Sequence, residues 1–135
     1  MLAVGGVLIG IYNADAVVSI GTDVCIGANF IIDCQKSITI GENTMFGPNV
    51  FITDHDHDYS SENWRDEYKS EDVVIGNNVW VGANVTILKG TKIGDNSVIG
   101  AGSILKGEYK PNCIYYTDRK MVEKEILPRQ MENVK

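Results

Sequence analysis

Large aliphatic residues recur along this chain at every sixth position. From Ile75 the step runs through Val81, Ile87, Ile93 and Ile99 to Leu105, and Ile75, Val81, Ile93 and Ile99 are each followed directly by glycine. Four residues beyond the first five of these anchors stand Val79, Val85, Thr91, Ser97 and Ser103, all small or β-branched. Upstream, Ile20, Ile26, Ile32 and Ile38 keep the step; the register then slips by two residues, and Ile40, Phe46 and Ile52 resume it. Val24, Thr44 and Val50 hold the small position there, with Phe30 as the large exception.

A period of six is neither the 3.6 of a helix nor the bare alternation of a half-buried strand. It suits a short extended segment followed by a turn, repeated three times per coil. Each aliphatic then points inward and stacks on its equivalents in the coils above and below. The glycine or small residue beside each anchor is expected to let the backbone bend at the corner. Stacked coils satisfy one another's backbone hydrogen bonds except at the two ends. A sandwich of evenly spaced strands does not require aliphatics in strict register from Ile75 to Leu105. The pattern predicts an all-β solenoid, a single domain over residues 1–135 with a C-terminal extension from about residue 107.

Two segments leave the pattern. Between Ile52 and Val74 the polar stretch TDHDHDYSSENWRDEYKSED interrupts it and holds both histidines of the chain. A loop this long inside a compact repeat fold is more often functional than accidental. It is predicted to extrude from one coil corner at about residues 53–73. After Pro111 the repeat ends. Asp118–Ile126 is predicted as a short helix, capped by Thr117 or Asp118 and stopped by Pro128, covering the end of the stack.

Charge narrows the partners. The net charge is −6 with a pI near 4.8, which argues against nucleic acid, since phosphate binding needs clustered Lys and Arg. The opening MLAVGGVLIG lacks a basic start and is too short and glycine-rich to span a bilayer, so it reads as the first turn of the fold. Cys25, Cys34 and Cys113 have no paired spacing, which points to a reducing, cytoplasmic compartment. Each is expected to be buried or half-buried.

The run IGNNVWVGANVTILKGTKIGDNSVIGAGSI closely resembles the C-terminal coils of the hexapeptide-repeat acyltransferases. Within that family the chain resembles the maltose and galactoside O-acetyltransferases and the colanic-acid-type acetyltransferases of surface polysaccharide synthesis. The resemblance covers about residues 18–115. It implies a left-handed parallel β-helix, a homotrimer with sites at subunit interfaces, and acetyl transfer from acetyl-CoA to a hydroxyl of a sugar or sugar-containing acceptor. It implies too that the loop reaches a neighbouring subunit. A trimeric β-helix that has lost its chemistry, or an N-acetyltransferase of amino sugars, remain open at this stage.

The family places a general base on the loop, and a histidine suits that role because its unperturbed pKa lies near working pH. Counting without gaps from Pro48-Asn49-Val50 puts it on His57, and HDYSS resembles the colanic-acid-type stretch. Thr53-Asp54-His55 resembles the Thr-Gly-His of the galactoside enzymes, which points to His55 instead. His57 is the first choice. The flanking Asp54, Asp56 and Asp58 either favour the imidazolium, which cannot act as a base, or orient a working ring. Two neighbouring histidines fall short of the three separated ones used by zinc-binding β-helix trimers, so no metal is expected.

By the same resemblance, Trp80 faces the acetyl-CoA groove, where an indole offers a flat apolar surface. The small pairs Gly82–Ala83 and Ala101–Gly102 keep successive coils open for the pantetheine arm. Lys106, Arg119, Lys120 and Lys124 form a basic group for the phosphates of CoA. The family's Thr-Lys-Asp after the last coil, however, reads Lys106-Gly107-Glu108 here. Asn29 and Asp33 fall near acceptor-binding positions of the galactoside enzymes.

Overall fold

In the computed structural model, which describes residues 6–128, the chain winds into a left-handed parallel β-helix of triangular section. The first coil holds β1 (Val7–Ile11), β2 (Val17–Ile20) and β3 (Cys25–Ile26); the second holds β4 (Phe30–Cys34), β5 (Ser37–Ile40) and β6 (Met45–Phe46). The third begins with β7 (Phe51–Thr53), diverts into β8 (His55–His57) and β9 (Tyr68–Ser70), and resumes with β10 (Val73–Ile75) and β11 (Trp80–Val81). The fourth holds β12 (Thr86–Ile87), β13 (Lys92–Ile93) and β14 (Val98–Ile99), and the fifth β15 (Ile104–Leu105), β16 (Glu108–Tyr109) and β17 (Ile114–Tyr115). Each face of the prism is a five-stranded parallel sheet: β1-β4-β7-β12-β15, β2-β5-β10-β13-β16 and β3-β6-β11-β14-β17.

The anchors form the core. Ile32 pairs with Ile52, Ile52 with Ile87 and Ile87 with Leu105, so one aliphatic column runs up the first face. Ile40, Ile75 and Ile93 build the second column, and Phe46, Val81 and Ile99 the third. All are buried, as are Thr44, Val50, Val79, Val85, Thr91, Ser97 and Ser103 at the small positions. The buried hydroxyls turn back to carbonyls: Thr44 Oγ1 donates to Gly76 at 3.0 Å and Ser103 Oγ to Gly100 at 2.6 Å. Phe30 fits at a small position because it packs against Phe46, ring centroids 4.9 Å apart. The end coils fall short of burial: the inward Tyr109 and Tyr115 of the fifth are half-buried, and Ile20 of the first remains 40% exposed. No coil lies beneath it among the described residues.

Three expectations need correction. Glycine is not what turns most corners. The left-handed residues are Asp23, Asn29, Asn43, Asn49, Asn78, Asn84, Asn96 and Asn112, joined by Gly90, Gly102 and Gly107. Asparagine tolerates that backbone region, and its amides ladder between coils, as in Asn29 to Asn49 at 3.0 Å and Asn96 to Asn112 at 3.1 Å. The glycine after an anchor is needed for a different reason: a Cβ on Gly82 would lie 2.7 Å from the Ala101 nitrogen of the next coil.

The second correction concerns Asp118–Ile126, which has no helical structure. Met121, Val122 and Ile126 are exposed, and a helix this short is marginal without a surface on which to pack its apolar side. Third, Cys34 is buried and Cys113 half-buried, but Cys25 is exposed on β3. Residues 1–5, the start of the predicted first turn, and 129–135 lie outside the described residues; from Val7 onward that turn is β1. Among the described residues no helix is long and apolar enough to cross a membrane.

Candidate active site

The interruption at residues 53–73 leaves the prism at the corner between the first and second faces. It is ordered rather than loose. β8 and β9 pair antiparallel, His55 opposite Ser70 and His57 opposite Tyr68. Its base is tied to the coils by backbone bonds from Glu71 N–H to Asp54 at 2.8 Å and from Gly90 N–H to Glu71 at 3.3 Å. Lys89, from the fourth coil, forms an ion pair with Asp56 between the two histidines at 2.5 Å.

The two imidazoles occupy contrasting surroundings. The His55 side chain is only 8% exposed. Its Nδ1 lies 2.9 Å from Asp54 Oδ1 and its Nε2 3.8 Å from Asp33 Oδ2. Tyr12 and Tyr68 meet the ring edge-on, with centroids at 6.1 and 5.3 Å. His57 is exposed on the hairpin, its Nδ1 2.9 Å from the Trp64 carbonyl and its ring 4.7 Å from Tyr68. A carbonyl only accepts, so Nδ1 carries the proton in that bond and the neutral ring presents a bare Nε2. Among the described residues that Nε2 has no hydrogen-bond partner.

Asp54 is the residue that sequence reasoning undervalued. It is wholly buried, and it accepts backbone N–H bonds from Gln35, Lys36 and Ser37 at 2.8, 2.7 and 2.8 Å. Burial pushes its carboxyl up, but the Gln35 N–H, the His55 imidazole and the Lys36 and Ser37 N–H groups outweigh that and hold it below its ordinary value. The neighbouring Cys34 thiol is pushed up to about 11, by burial first and then by the Asp54 charge. It stays protonated at neutral pH and is no nucleophile. Asp33 keeps one oxygen, Oδ1, buried without a hydrogen-bond partner among the described residues. The nearby Tyr12 hydroxyl is raised above its ordinary value by its hydrogen bond to Asp33 and then by that carboxylate's charge.

Of the sequence-predicted residues, the fold gathers His55, His57 and Asp33 at one corner. Lys106 joins them, lining a small cleft with Thr53, His55, Asp56, Leu88 and Lys89. Asn29 sits at the far end of β4, four extended residues or roughly 13 Å from Asp33. Trp80 is 52% exposed on the third face, the one opposite the hairpin corner, beside Met45 and Val98. Gly82–Ala83 and Ala101–Gly102 stack at the corner between the third and first faces, where Gly47 approaches Ala83 in the same way. The basic group is divided: Arg119 donates to the Gly102 carbonyl, one corner away from Lys106, and Lys124 is exposed in the irregular tail. Within one chain, then, the imidazoles and the indole face away from each other. Among the described residues no cluster of three or more His, Cys, Asp or Glu is arranged to hold a metal ion.

A parallel β-helix of six-residue repeats with an inserted histidine hairpin defines a class, and the comparisons agree with it. The profile described as "Bacterial transferase hexapeptide (six repeats)" matches residues 72–107, and "Hexapeptide repeat of succinyl-transferase" matches residues 17–54. The chain belongs to the hexapeptide-repeat acetyltransferase family. It is 41% identical over 104 residues to the galactoside O-acetyltransferase of Escherichia coli K12, covering 71% of this chain and 51% of that protein. The galactoside O-acetyltransferase of Lactococcus lactis IL1403 is 36% identical over 110 residues, 81% of this chain and 53% of that one. The chain thus spans about half the length of these relatives.

Among solved structures, a galactoside acetyltransferase in complex with coenzyme A superposes with a TM-score of 0.58 at 34% identity, over 82% of this chain and 60% of that one. A maltose O-acetyltransferase from Clostridium difficile 630 superposes with a TM-score of 0.66 at 28% identity, over 93% of this chain and 70% of that one.

Proposed function

We propose that this chain is an acetyl-CoA-dependent O-acetyltransferase that acts on a hydroxyl of a sugar or sugar-containing acceptor, with His57 as general base. The observation that carries this reading is the ring of His57, its Nδ1–H held by the Trp64 carbonyl at 2.9 Å and its Nε2 open on an exposed hairpin. His57 Nε2 takes the acceptor hydroxyl proton as the oxygen attacks the thioester carbonyl. The imidazolium then returns the proton to the departing CoA sulfur, so the acetyl group moves without a covalent enzyme intermediate. Backbone N–H groups are the expected donors to the transient oxyanion. His55, its side chain only 8% exposed and its Nδ1 held by the Asp54 carboxylate, is less open to an acceptor hydroxyl.

The active assembly in this reading is a homotrimer. The hairpin and Trp80 lie on opposite sides of one prism, and a neighbouring copy brings an indole-bearing face to a histidine-bearing corner. Trp80 and the stacked Gly82–Ala83 and Ala101–Gly102 corner would line the pantetheine groove, with Lys106 and Lys124 toward phosphate. Asp33, and Asn29 from a second chain, would meet the acceptor. The three unpaired cysteines fit a reducing, cytoplasmic setting, and the relatives' sugar acceptors fit polysaccharide biosynthesis.

A thermal-shift titration with acetyl-CoA and CoA tests the reading. At tenfold above its dissociation constant a ligand should add about 1.4 kcal/mol. Absence of stabilisation, together with no thiol release over a panel of sugars, would discard it.

A further inference from the structure

The repeat lengthens by two residues between the first and second faces of the second coil. Paired anchors on the first and second faces are six residues apart in the fourth coil, Ile87 to Ile93, but eight apart in the second, Ile32 to Ile40. The surplus falls in the corner between β4 and β5, at Gln35 and Lys36. Widening the corner turns three consecutive N–H groups inward, and all three converge on the Asp54 carboxylate at 2.7–2.8 Å. Such a backbone nest is a ready seat for an anion.

The seated carboxylate has further partners. Oδ1 takes the Gln35 N–H and the His55 Nδ1–H, while Oδ2 takes the Lys36 and Ser37 N–H groups and the Cys34 thiol at 3.4 Å. Surrounded by donors it is acceptor-only, so Nδ1 of His55 carries the proton and the ring is fixed in both tautomer and angle. That ring meets Tyr68 edge-on at 5.3 Å and 81°. On its other side Tyr68 lies against His57 at 4.7 Å and 34°. An unbroken line of contacts therefore joins the widened corner to the exposed imidazole.

We infer that Asp54 is a positioning residue: seated in the widened corner, its carboxylate fixes His55, and through Tyr68 this sets the placement of the His57 ring. The inference rests on the reading of His57 as base, since only then does its placement govern turnover. An ordinary loop anchor would hold the hairpin on the coil without affecting the state of His57.

The test uses the full chain with 15N-labelled histidine and two variants, Asp54→Asn and His55→Ala. Two-bond 1H–15N correlations report which nitrogen of each ring carries the proton. Wild type is expected to show the neutral His57 ring as its Nδ1–H tautomer. In Asp54→Asn that form should give way to a tautomer mixture, with kcat reduced by roughly ten- to a hundredfold, as for a displaced reacting group. KM for acetyl-CoA should stay within about twofold, because only the acceptor side is disturbed.

His55→Ala leaves the three backbone donors on Asp54 and so keeps the corner. It should disturb His57 to the same degree, and adding Asp54→Asn to it should cost little more, as expected of residues acting through one line of contact. His57 signals and kcat unchanged in folded Asp54→Asn would overturn the inference. Should that variant fail to fold, unchanged His57 signals in His55→Ala would overturn it instead. A wild-type chain without acetyl transfer would refute the enzymatic reading, while the imidazole spectra of the variants would still decide whether Asp54 positions His57.

Discussion

The fourth coil and the corner at Asp54 are built from the same chain on opposite rules. In the fourth coil Ile87, Ile93 and Ile99 stand six apart, each on its equivalent below, and all are buried. Stability there is nearest-neighbour packing, and one coil resembles the next. At the corner, residues 35–37 and 54–57 break the repeat, and the Asp54 carboxylate is buried because both its oxygens have donors. The difference teaches where to look in a periodic fold: regularity carries the stack, and chemistry gathers where the period fails.

Substitutions on the two sides should separate activity from stability. His57→Ala should lower kcat/KM by about a hundred- to ten-thousandfold, the usual range for a lost general base, with the melting temperature nearly unchanged. Comparable losses in His55→Ala alone, with His57→Ala active in a thiol-release assay, would reverse the roles given to the two rings. Ile87→Ala should cost about 2–5 kcal/mol in denaturant unfolding, since a cavity opens in the middle of a column. The activity per folded molecule should survive.

Acid should act through the corner before the coils. The Asp54 carboxyl is held below its ordinary value in the fold, so its contribution to stability is present above the unfolded pKa and is lost as pH falls through the folded one. The stability gap between wild type and Asp54→Asn should therefore narrow as pH drops below about 4, while Ile87→Ala should keep a constant deficit. The smallest effect is expected at the Lys89–Asp56 pair. Asp56 is 58% exposed, so Lys89→Ala should cost no more than about 1 kcal/mol and less in high salt.

The columns were legible from the sequence because inward positions are local: Ile75 to Leu105 declare themselves by spacing alone. The slip at Ile38–Ile40 was visible too, but its cause was not. Ile38 and Ile40 both point inward on β5, and the added length lies earlier, in a corner shaped by a carboxylate 17–19 residues further on. No local pattern reports such a contact. The asparagine corners are signalled by IGNN, GANV and GDNS, where Asn78, Asn84 and Asn96 take the left-handed conformation, but the glycine in each segment has the same backbone freedom and masks the signal. Asp118–Ile126 had the composition of a helix but no surface to bury against. The basic residues after Leu105 look contiguous in sequence, yet a prism corner sends Lys106 and Arg119 to different edges.

The hairpin draws on three successive layers: the Gln35–Ser37 amides of the second, its own strands from the third, and Lys89 and Gly90 of the fourth. It acts as a splint. Hydrogen exchange should accordingly be slowest in these middle layers and faster toward both ends of the stack, so fraying at either end need not reach the imidazoles. A nascent chain, by the same token, gains its working geometry only once residue 90 has emerged.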